Sequence, residues 1–252
     1  MSNNKNRKEI FIGGTGRSGT SILSKYLGSH NDVYQIPFES KFLVDKDGAL
    51  DLFTALTINF NIVQGKVAIY RFENLINKVM SDPFSAPYIG YNLKWHTSPE
   101  HLVKHLSQFI TAISSGKWHG WDKHTQDKHQ VLLRVIRILM RVINKISIDP
   151  INRYIAPKEY NIPQINYKKI RTKEWGYIPK YFVDETELQV LLGKFVESLF
   201  YKMAIDNNKK IFCEATPANM LHVDFLSSIF PNAYFLHAVR HPIGVAQSML
   251  ES

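Results

Sequence analysis

The chain has 252 residues, of which 44% are hydrophobic, and carries a formal net charge of +9. This length is enough for one α/β domain with an insertion and disfavours two independent domains. The single cysteine, Cys213, excludes an intramolecular disulfide, and no run of about 18 apolar residues predicts a membrane-spanning helix. Residues 1–8 are polar and basic and lack the apolar core of a signal peptide, so a cytoplasmic protein is expected.

The first predicted unit is a strand, a glycine-rich loop and a helix. The apolar residues 10–12 precede the loop at 13–21, GGTGRSGTS, and a helical pattern then ends near Gly28. The first N–H groups of a helix have no intrahelical acceptor, and the helix dipole adds partial positive charge where they converge. Glycines permit a tight turn and close approach of a ligand. The unit therefore predicts a site for a phosphate-like anion.

Three interpretations of this loop compete. A nucleotide-kinase loop, G-x-x-x-x-G-K-[ST], fits except that Thr20 replaces the lysine. A dinucleotide fingerprint, G-x-G-x-x-G, is present at Gly14, Gly16 and Gly19, and Glu39 lies near the expected acidic position. That short pattern is a weak indication by itself. The third interpretation places the cation inside the loop, at the arginine that precedes Ser-Gly-Thr.

The middle of the chain is predicted to be helical and basic. Helical patterns span 66–80 and 99–115, the latter with Ser98 as its N-cap. Residues 131–146 carry a stripe of basic side chains, which suits contact with an anionic membrane, although a packed helix with its arginines facing solvent or ligand is favoured. Residues 149–181, rich in Pro, Tyr, Lys and Asn, are predicted to form an irregular surface segment.

The charge is concentrated in this middle part. Residues 116–182 contain 14 Lys and Arg against 5 Asp and Glu, so they account for the whole net charge. Such a surface would attract an anionic ligand by electrostatic steering, and a solvated charged insertion is an equally weighted alternative. Because no nucleic-acid-binding motif accompanies the charge, nucleic acid is not a predicted partner.

The C-terminal part returns to alternating strands and helices. Asp184 and Glu187 predict a capping box for a helix reaching about residue 206. A strand at 210–214 follows, and then a helix capped by Thr216. This alternation predicts a parallel sheet covered on both faces, with ligands at the carboxyl ends of the strands.

A second candidate anion site lies near the end of the chain. Residues 232–239 are predicted to form a buried strand that ends at Arg240, and Ser248 falls eight residues later, about two turns into the next helix.

Arg17 in the loop, Arg240 at a strand end and Ser248 beyond it resemble one family. The combination is similar to the sulfotransferases that use 3′-phosphoadenosine 5′-phosphosulfate (PAPS), and is closest to their tyrosylprotein and carbohydrate branch, which has a GxxRSGT loop. The resemblance covers residues 8–43 and 211–252.

The resemblance implies a P-loop-like α/β/α fold with a central parallel sheet and a helical, basic insertion. It implies that the loop holds the 5′-phosphosulfate of the donor and that Arg240 and Ser248 hold its 3′-phosphate, with no metal. Two phosphate sites at predicted strand ends suit a donor phosphorylated at both ends. The implied loop ligands are Gly14, Thr15, Gly16, Arg17, Ser18, Gly19, Thr20 and Ser21.

Sulfuryl transfer needs neutralisation of the bridging phosphate, alignment of the acceptor and removal of the acceptor proton. Arg17 is expected to serve the first need. In the tyrosylprotein branch a glutamate soon after the corresponding strand removes the proton, which implies that Glu39 is the general base. A Glu39 that only pairs with a nearby cation is one alternative, and His30 or Asp32 as the base is another.

One departure from the family concerns a cation. Many members of the branch have lysine in an E-K-T-P string, whereas this chain has Ala215 at that position. Either another cation, for which the basic middle part is a source, replaces the lysine, or turnover is slow.

The expected organisation is a single domain over residues 1–252, with an insertion at about 45–185 on the acceptor side. The family continues past the serine that binds the 3′-phosphate, so a C-terminally truncated chain is an alternative. The resemblance implies as acceptor a hydroxyl or amine of an unidentified carbohydrate, tyrosyl peptide or small molecule, with acidic acceptors included. A Mg-ATP-dependent kinase and a non-catalytic nucleotide-binding module are the competing functions. The sequence predicts no oligomeric state.

Overall fold

The computed structural model describes residues 8–81, 98–119 and 175–251. The chain divides into two compact units, residues 1–116 with 177–252, and residues 117–176. Almost all of the second unit lies outside the described residues, and with it the basic stripe predicted at 131–146. The single-domain organisation with an insertion at 45–185 therefore stays a prediction.

The described residues are mixed α/β. Their strands are β1 (Glu9–Gly14), β2 (Val33–Gln35), β3 (Ser114–His119), β4 (Trp175–Pro179), β5 (Ile211–Ala215) and β6 (Tyr234–Ala238). Their α-helices are α1 (Thr20–Gly28), α2 (Ala49–Leu56), α3 (Ile62–Ser81), α4 (Pro99–Ala112), α5 (Glu185–Asp206), α6 (Val223–Ile229) and α7 (Pro242–Leu250). Two 3₁₀ turns, Lys41–Leu43 and Pro217–His222, complete the set. Among these helices none combines the length and apolar character needed to cross a membrane.

A four-stranded sheet forms the centre, in the order β2-β5-β1-β6. Every pair in it is parallel, with Ile12 opposite Ala215 and Gly14 opposite Ala238. The predicted parallel sheet is thus confirmed. Because parallel strands end at the same edge, the segments that follow β1, β2, β5 and β6 lie along one edge of the sheet.

Both faces of this sheet are covered by apolar side chains. On one face Ile12, Val33 and Cys213 are buried and pack against Leu23 and Leu27 of α1. These two leucines are four residues apart and so lie on the same side of the helix. The opposite face belongs to a larger core that α2 to α6 share. The sheet is therefore fixed between α1 and the other helices.

Phe11 is the centre of an aromatic cluster in the larger core. Its ring centroid lies 5.9 Å from that of Phe212, 5.0 Å from Phe230 and 5.6 Å from Phe235. The side chain is fully buried. These contacts join β1 to both neighbouring strands and to the end of α6.

Several predicted boundaries differ from the structure. The α4 N-cap is confirmed, since the Ser98 hydroxyl accepts a hydrogen bond from the backbone N–H of His101 at 3.2 Å. The helix ends at Ala112 because the following residues form β3 and pair with β4. The prediction of an irregular segment at 149–181 was wrong for Trp175–Pro179, since strand pairing with a distant partner decides it.

Two predicted caps differ in detail. Gly28 is the last residue of α1 rather than its cap, and Ser29 follows as the C-cap. A Cβ at Gly28 would lie 2.8 Å from Cβ of Gln35, so close packing against β2 explains this glycine. At α5 the Asp184 carboxylate accepts a hydrogen bond from the N–H of Thr186 at 2.9 Å, whereas a capping box would use the N–H of Glu187.

Replacing Phe11 with alanine tests the aromatic cluster. We expect Phe11→Ala to lower the free energy of unfolding by about 3–5 kcal/mol, because a buried ring is lost and a cavity remains. Urea unfolding measures the difference. The matched control is Tyr26→Ala on α1, whose ring is 74% exposed, with an expected change within about 0.5 kcal/mol. Equal destabilisation by both variants would contradict the assigned core.

Candidate functional site

The loop between β1 and α1 is a tight turn at the carboxyl edge of the sheet. The backbone N–H of Ser18 donates to the carbonyl oxygen of Thr15 at 3.1 Å. Arg17 has a left-handed backbone, with φ of 64°, and Gly19 follows as the α1 N-cap with φ of 101°. Glycine suits this last position because it adopts positive φ without strain. The turn therefore leads directly into the N-terminus of a helix.

The N-terminus of α1 has features that suit an anion. Gly19 provides no side-chain capping bond, and the first turn contains no acidic residue. The N–H of Ile22 donates to the carbonyl oxygen of Gly19 at 3.1 Å, so in the described part of the chain the N–H groups of Thr20 and Ser21 are the ones left to an external acceptor. Thr15, Arg17 and Ser21 are exposed, whereas Ser18 and Thr20 are buried. Oγ of Ser18 is buried without a hydrogen-bond partner in the described part of the chain, which is unfavourable unless a ligand accepts or donates there.

Gly14 lets the loop leave the sheet between close neighbours. A Cβ at this position would lie 2.4 Å from the carbonyl oxygen of Ala238 and 2.7 Å from Oγ of Ser18. Real Cβ atoms do not approach oxygen so closely, and the carbonyl belongs to the paired strand β6. The lack of a side chain is therefore a steric requirement here.

Arg240 reaches this loop from the far end of the chain. It follows β6, and its guanidinium Nη1 donates to the carbonyl oxygen of Arg17 at 3.2 Å. The same side chain packs over the first turn of α7, where a Cβ at Gly244 would lie 3.0 Å from Nε. The two predicted anion-binding segments are thus in direct contact.

Helix α7 also approaches the loop at its other end. A Cβ at Gly16 would lie 3.9 Å from Cε of Met249 in the last turn of α7. Ser248, half-buried, is the preceding residue. At the start of the helix Nδ1 of His241 accepts a hydrogen bond from the N–H of Ile243 at 3.3 Å. The histidine after Arg240 is therefore an N-cap, a role that the sequence did not indicate.

Glu39 lies at the same edge, beyond the end of β2. Its side chain is 45% exposed, and Oε2 lies 3.6 Å from Nζ of Lys41. Exposed pairs of this kind contribute about 0–1 kcal/mol, so the pair leaves the carboxylate accessible. Because β5 separates β2 from β1, their axes are about 10 Å apart. Glu39 is thus on the loop side of the sheet but not in the loop.

The structure does not bring His30 and Asp32 to this edge. Both precede β2, at its opposite end. Asp32 pairs with Lys210 at 2.9 Å, and the hydrogen bond from that lysine is the main cause that lowers the pKa of Asp32. The N–H of Asp32 in turn donates to Nδ1 of His30 at 3.1 Å. Neither residue shares the edge that carries the loop.

Glu214 is a residue whose importance the sequence analysis missed. It is the penultimate residue of β5 and is fully buried. Oε1 accepts a hydrogen bond from the backbone N–H of Ser40 at 2.9 Å and another from the hydroxyl of Thr216. Oε2 accepts one from Nδ2 of Asn219. The sequence could indicate such a glutamate only if the burial of its strand were already known.

Burial raises the pKa of the Glu214 carboxyl above its ordinary value. Hydrogen bonds from Thr216, Ser40 and Asn219 act in the opposite direction, since each donates to an ionised oxygen. All three donors are uncharged. The carboxyl is therefore held by hydrogen bonds rather than by an ion pair.

Other titratable candidates have structural roles. The rings of His101 and His105 lie 4.2 Å apart, and Nε2 of His101 is 2.9 Å from the carbonyl oxygen of Ser198. The described residues contain no cluster of three or more His, Cys, Asp or Glu side chains that would hold a metal ion. Burial raises the pKa of Cys213 to about 12, so its thiol is protonated and unreactive at neutral pH.

The family model described as "Sulfotransferase family" matches residues 147–252. This C-terminal part of the chain is thus similar to the sulfotransferase family, and the match supports the resemblance recognised in the sequence. The match includes β5, β6, Arg240 and Ser248 but not the loop after β1. The similarity of this loop to the family therefore rests on residues outside the match. No curated protein and no solved structure matches the chain.

Adding a methyl group at Gly14 tests the geometry of the loop. We expect Gly14→Ala to lower the free energy of unfolding by about 1–3 kcal/mol, because the strand carbonyl of Ala238 must move. Urea unfolding checks the value. The control is Gly116→Ala in β3, where the new Cβ would lie at an ordinary 3.8 Å from Cδ1 of Ile178. An unchanged stability of Gly14→Ala would contradict the close approach of β6.

Proposed function

We propose that the protein is a PAPS-dependent sulfotransferase. It transfers the sulfuryl group of the donor to a hydroxyl or amine and releases adenosine 3′,5′-bisphosphate. The observation that carries the proposal is the contact between the guanidinium of Arg240 and the carbonyl oxygen of Arg17, at 3.2 Å. It joins the two segments that would hold opposite ends of one nucleotide, and one of them lies in the part that matches the sulfotransferase family.

The donor would be held mainly by the loop, which we take to be P-loop-like. The N–H groups at the start of α1 and the hydroxyls of Ser18, Thr20 and Ser21 would bind the 5′-phosphosulfate. The unpartnered buried Oγ of Ser18 fits this role, because it needs a polar partner that the described chain does not supply. Arg240 and Ser248 would hold the 3′-phosphate. The full set of loop ligands also includes Gly14, Thr15, Gly16, Arg17 and Gly19.

Arg17 and Glu39 have separate roles in the proposed chemistry. Arg17, exposed at the tip of the loop, would neutralise the charge that develops on the departing phosphate. Glu39 would accept the proton of the attacking hydroxyl or amine. The separation of about 10 Å between the β1 and β2 axes leaves room for the reacting groups between loop and base. No metal is needed if the loop and the two arginines supply the positive charge.

The proposed acceptor is a molecule that a positively charged protein can attract. A carbohydrate, a tyrosyl peptide or a small molecule, acidic ones included, would suit the positive charge of the chain. A cytoplasmic location is proposed from the single cysteine. At Ala215 the chain lacks the family lysine, and Lys41, whose Nζ lies 3.6 Å from Oε2 of Glu39, places a basic side chain beside the proposed base.

Ligand preference distinguishes this function from its competitors. We expect adenosine 3′,5′-bisphosphate to raise the melting temperature more than ATP with Mg²⁺ or NAD does, because at equal concentration the ligand with the lower Kd stabilises the folded state more. Thermal unfolding with each ligand at equal concentration is the measurement. A larger shift with ATP and Mg²⁺ would favour a kinase and overturn the proposal.

Arginine variants provide the control for this measurement. Arg240→Ala is expected to weaken binding of adenosine 3′,5′-bisphosphate about 10- to 100-fold, since charge-assisted hydrogen bonds contribute roughly 1.5–3 kcal/mol. Arg71→Ala, which removes an exposed arginine paired with Asp47 at 3.5 Å, should leave binding unchanged. Equal effects would show that only general charge matters.

Glu39→Gln tests the general base. With ³⁵S-labelled PAPS and a panel of a tyrosyl peptide, a sulfatable oligosaccharide and a simple phenol, we expect labelled product from the wild type. The variant should transfer about 10²- to 10⁴-fold more slowly, because the amide cannot accept the proton. Binding of adenosine 3′,5′-bisphosphate should persist.

The matched control for this variant is Glu185→Gln, an exposed glutamate in the first turn of α5. It should transfer label at the wild-type rate. Undiminished transfer by Glu39→Gln would exclude Glu39 as the base. Binding of the nucleotide by the wild type, without transfer to any acceptor or water, would favour a non-catalytic module.

A further inference from the structure

The buried carboxyl of Glu214 connects two segments whose relative position matters for the proposed reaction. It is fully buried, and it sits one residue before the end of β5, between β1 and β2 in the sheet. Burying a carboxyl group is unfavourable unless its oxygens are satisfied. Here donors from two different segments satisfy the oxygens, so the buried carboxyl group also links those two segments.

The first segment carries Glu39. Oε1 of Glu214 accepts the backbone N–H of Ser40, the next residue, at 2.9 Å. Four residues earlier the N–H of Ile36 donates to the carbonyl oxygen of Cys213 at 2.8 Å. The segment 36–40 is therefore tied to β5 at both of its ends, by adjacent residues of that strand. Glu39 lies directly before the second tie.

The second segment is the 3₁₀ turn Pro217–His222. Oε2 of Glu214 accepts a hydrogen bond from Nδ2 of Asn219, which is fully buried in that turn. This 3₁₀ turn also lies against the end of β1. A Cβ at Gly13 would lie 2.7 Å from the backbone nitrogen of Met220 and 3.1 Å from the carbonyl oxygen of Pro217. One carboxyl group thus joins the segment of Glu39 to the turn that packs beside the start of the loop.

We propose that Glu214 is a positioning residue that fixes Glu39 relative to the anion-binding loop. This proposal rests on the proposed sulfotransferase function, because the distance between base and donor matters only if that reaction occurs. Glu214 itself touches no reacting atom. A shift of about 1 Å in the position of a reacting group reduces turnover by up to about 100-fold.

The geometry specifies which property of Glu214 matters. Its reach is required, because both oxygens have partners in different segments. Its charge is dispensable, because a glutamine oxygen would still accept from Ser40. The glutamine NH₂ would then face Asn219, whose Oδ1 is buried and has no hydrogen-bond partner among the described residues. Rotation of the Asn219 amide would present that oxygen to the new donor.

Two substitutions separate reach from charge. Glu214→Asp keeps the charge but is shorter by one methylene, about 1.5 Å, and cannot hold both segments. Glu214→Gln keeps the length and removes the charge. Glu9→Asp is the matched control, because Glu9 is a 4% exposed glutamate that accepts from the hydroxyl of Tyr201 at 2.7 Å, at the opposite end of β1.

Hydrogen exchange at residues 36–44 gives a readout that needs no substrate. We expect Glu214→Asp to speed exchange of the Ser40 amide about tenfold or more, because its acceptor is withdrawn. Glu214→Gln and Glu9→Asp should leave that amide at the wild-type rate. Unchanged exchange in Glu214→Asp would overturn the proposal, whatever the outcome of the activity assays.

Turnover with the best acceptor of the panel gives the second readout. We expect Glu214→Asp to lower kcat about 10- to 100-fold with little change in the donor KM. Glu214→Gln should stay within about threefold of the wild type and retain its pH profile. If instead Glu214→Gln loses turnover while Glu214→Asp keeps it, the charge is what matters and the positioning role is wrong. A loss no greater than that of Glu9→Asp would reduce Glu214 to a structural residue.

Asn219→Ala keeps the proposal testable if Glu214→Asp does not fold. This variant cuts only the link to the 3₁₀ turn, so kcat should fall while the Ser40 amide stays protected; unchanged kcat would overturn the proposal. Failure of the proposed function is recognised separately. In that case the wild type would not bind adenosine 3′,5′-bisphosphate in preference to ATP. The Ser40 amide would still exchange faster in Glu214→Asp than in the wild type or in Glu214→Gln.

Discussion

The parallel pairing of β1 with β5 on one side and β6 on the other is the constraint on which the site depends. It aligns Ile12 with Ala215 and Gly14 with Ala238, although these partners are far apart in the chain. Since parallel strands end together, the loop, Glu214 and Arg240 all reach one edge of the sheet. The aromatic contacts of Phe11 with Phe212 and Phe235 hold the same strands from the core side.

Close approach between these strands leaves little freedom at the loop. The carbonyl of Ala238 occupies the space that a side chain at Gly14 would need, and the turn at Met220 does the same at Gly13. Both glycines are therefore required by the neighbours of β1, before any ligand is considered. A loop held in this way can offer its N–H groups in a fixed arrangement, which is what binding of an anion by backbone groups requires.

Buried polar groups are concentrated along the same edge. Oγ of Ser18 and Oδ1 of Asn219 lack partners within the described residues, and Glu214 places a carboxyl group in the core. Each such group opposes stability by roughly 1–3 kcal/mol when unsatisfied. Buried polar groups at one edge of an otherwise apolar sheet are typical of a functional site. The family match, which reaches Arg240 but not the loop, points to the same edge from the opposite end of the chain.

The sequence by itself determined the central parallel sheet, the strand-loop-helix unit at residues 10–28, the cap at Ser98 and the resemblance to the sulfotransferase family. These follow from local patterns, because hydrophobic periodicity, glycines and capping residues act over a few positions. Only the tertiary structure decided the pairing of β3 with β4, the contact of Arg240 with the loop and the hydrogen bonds of Glu214. Those depend on partners distant in the chain, and a glutamate in a short strand has the same sequence pattern whether its carboxyl faces water or three buried donors.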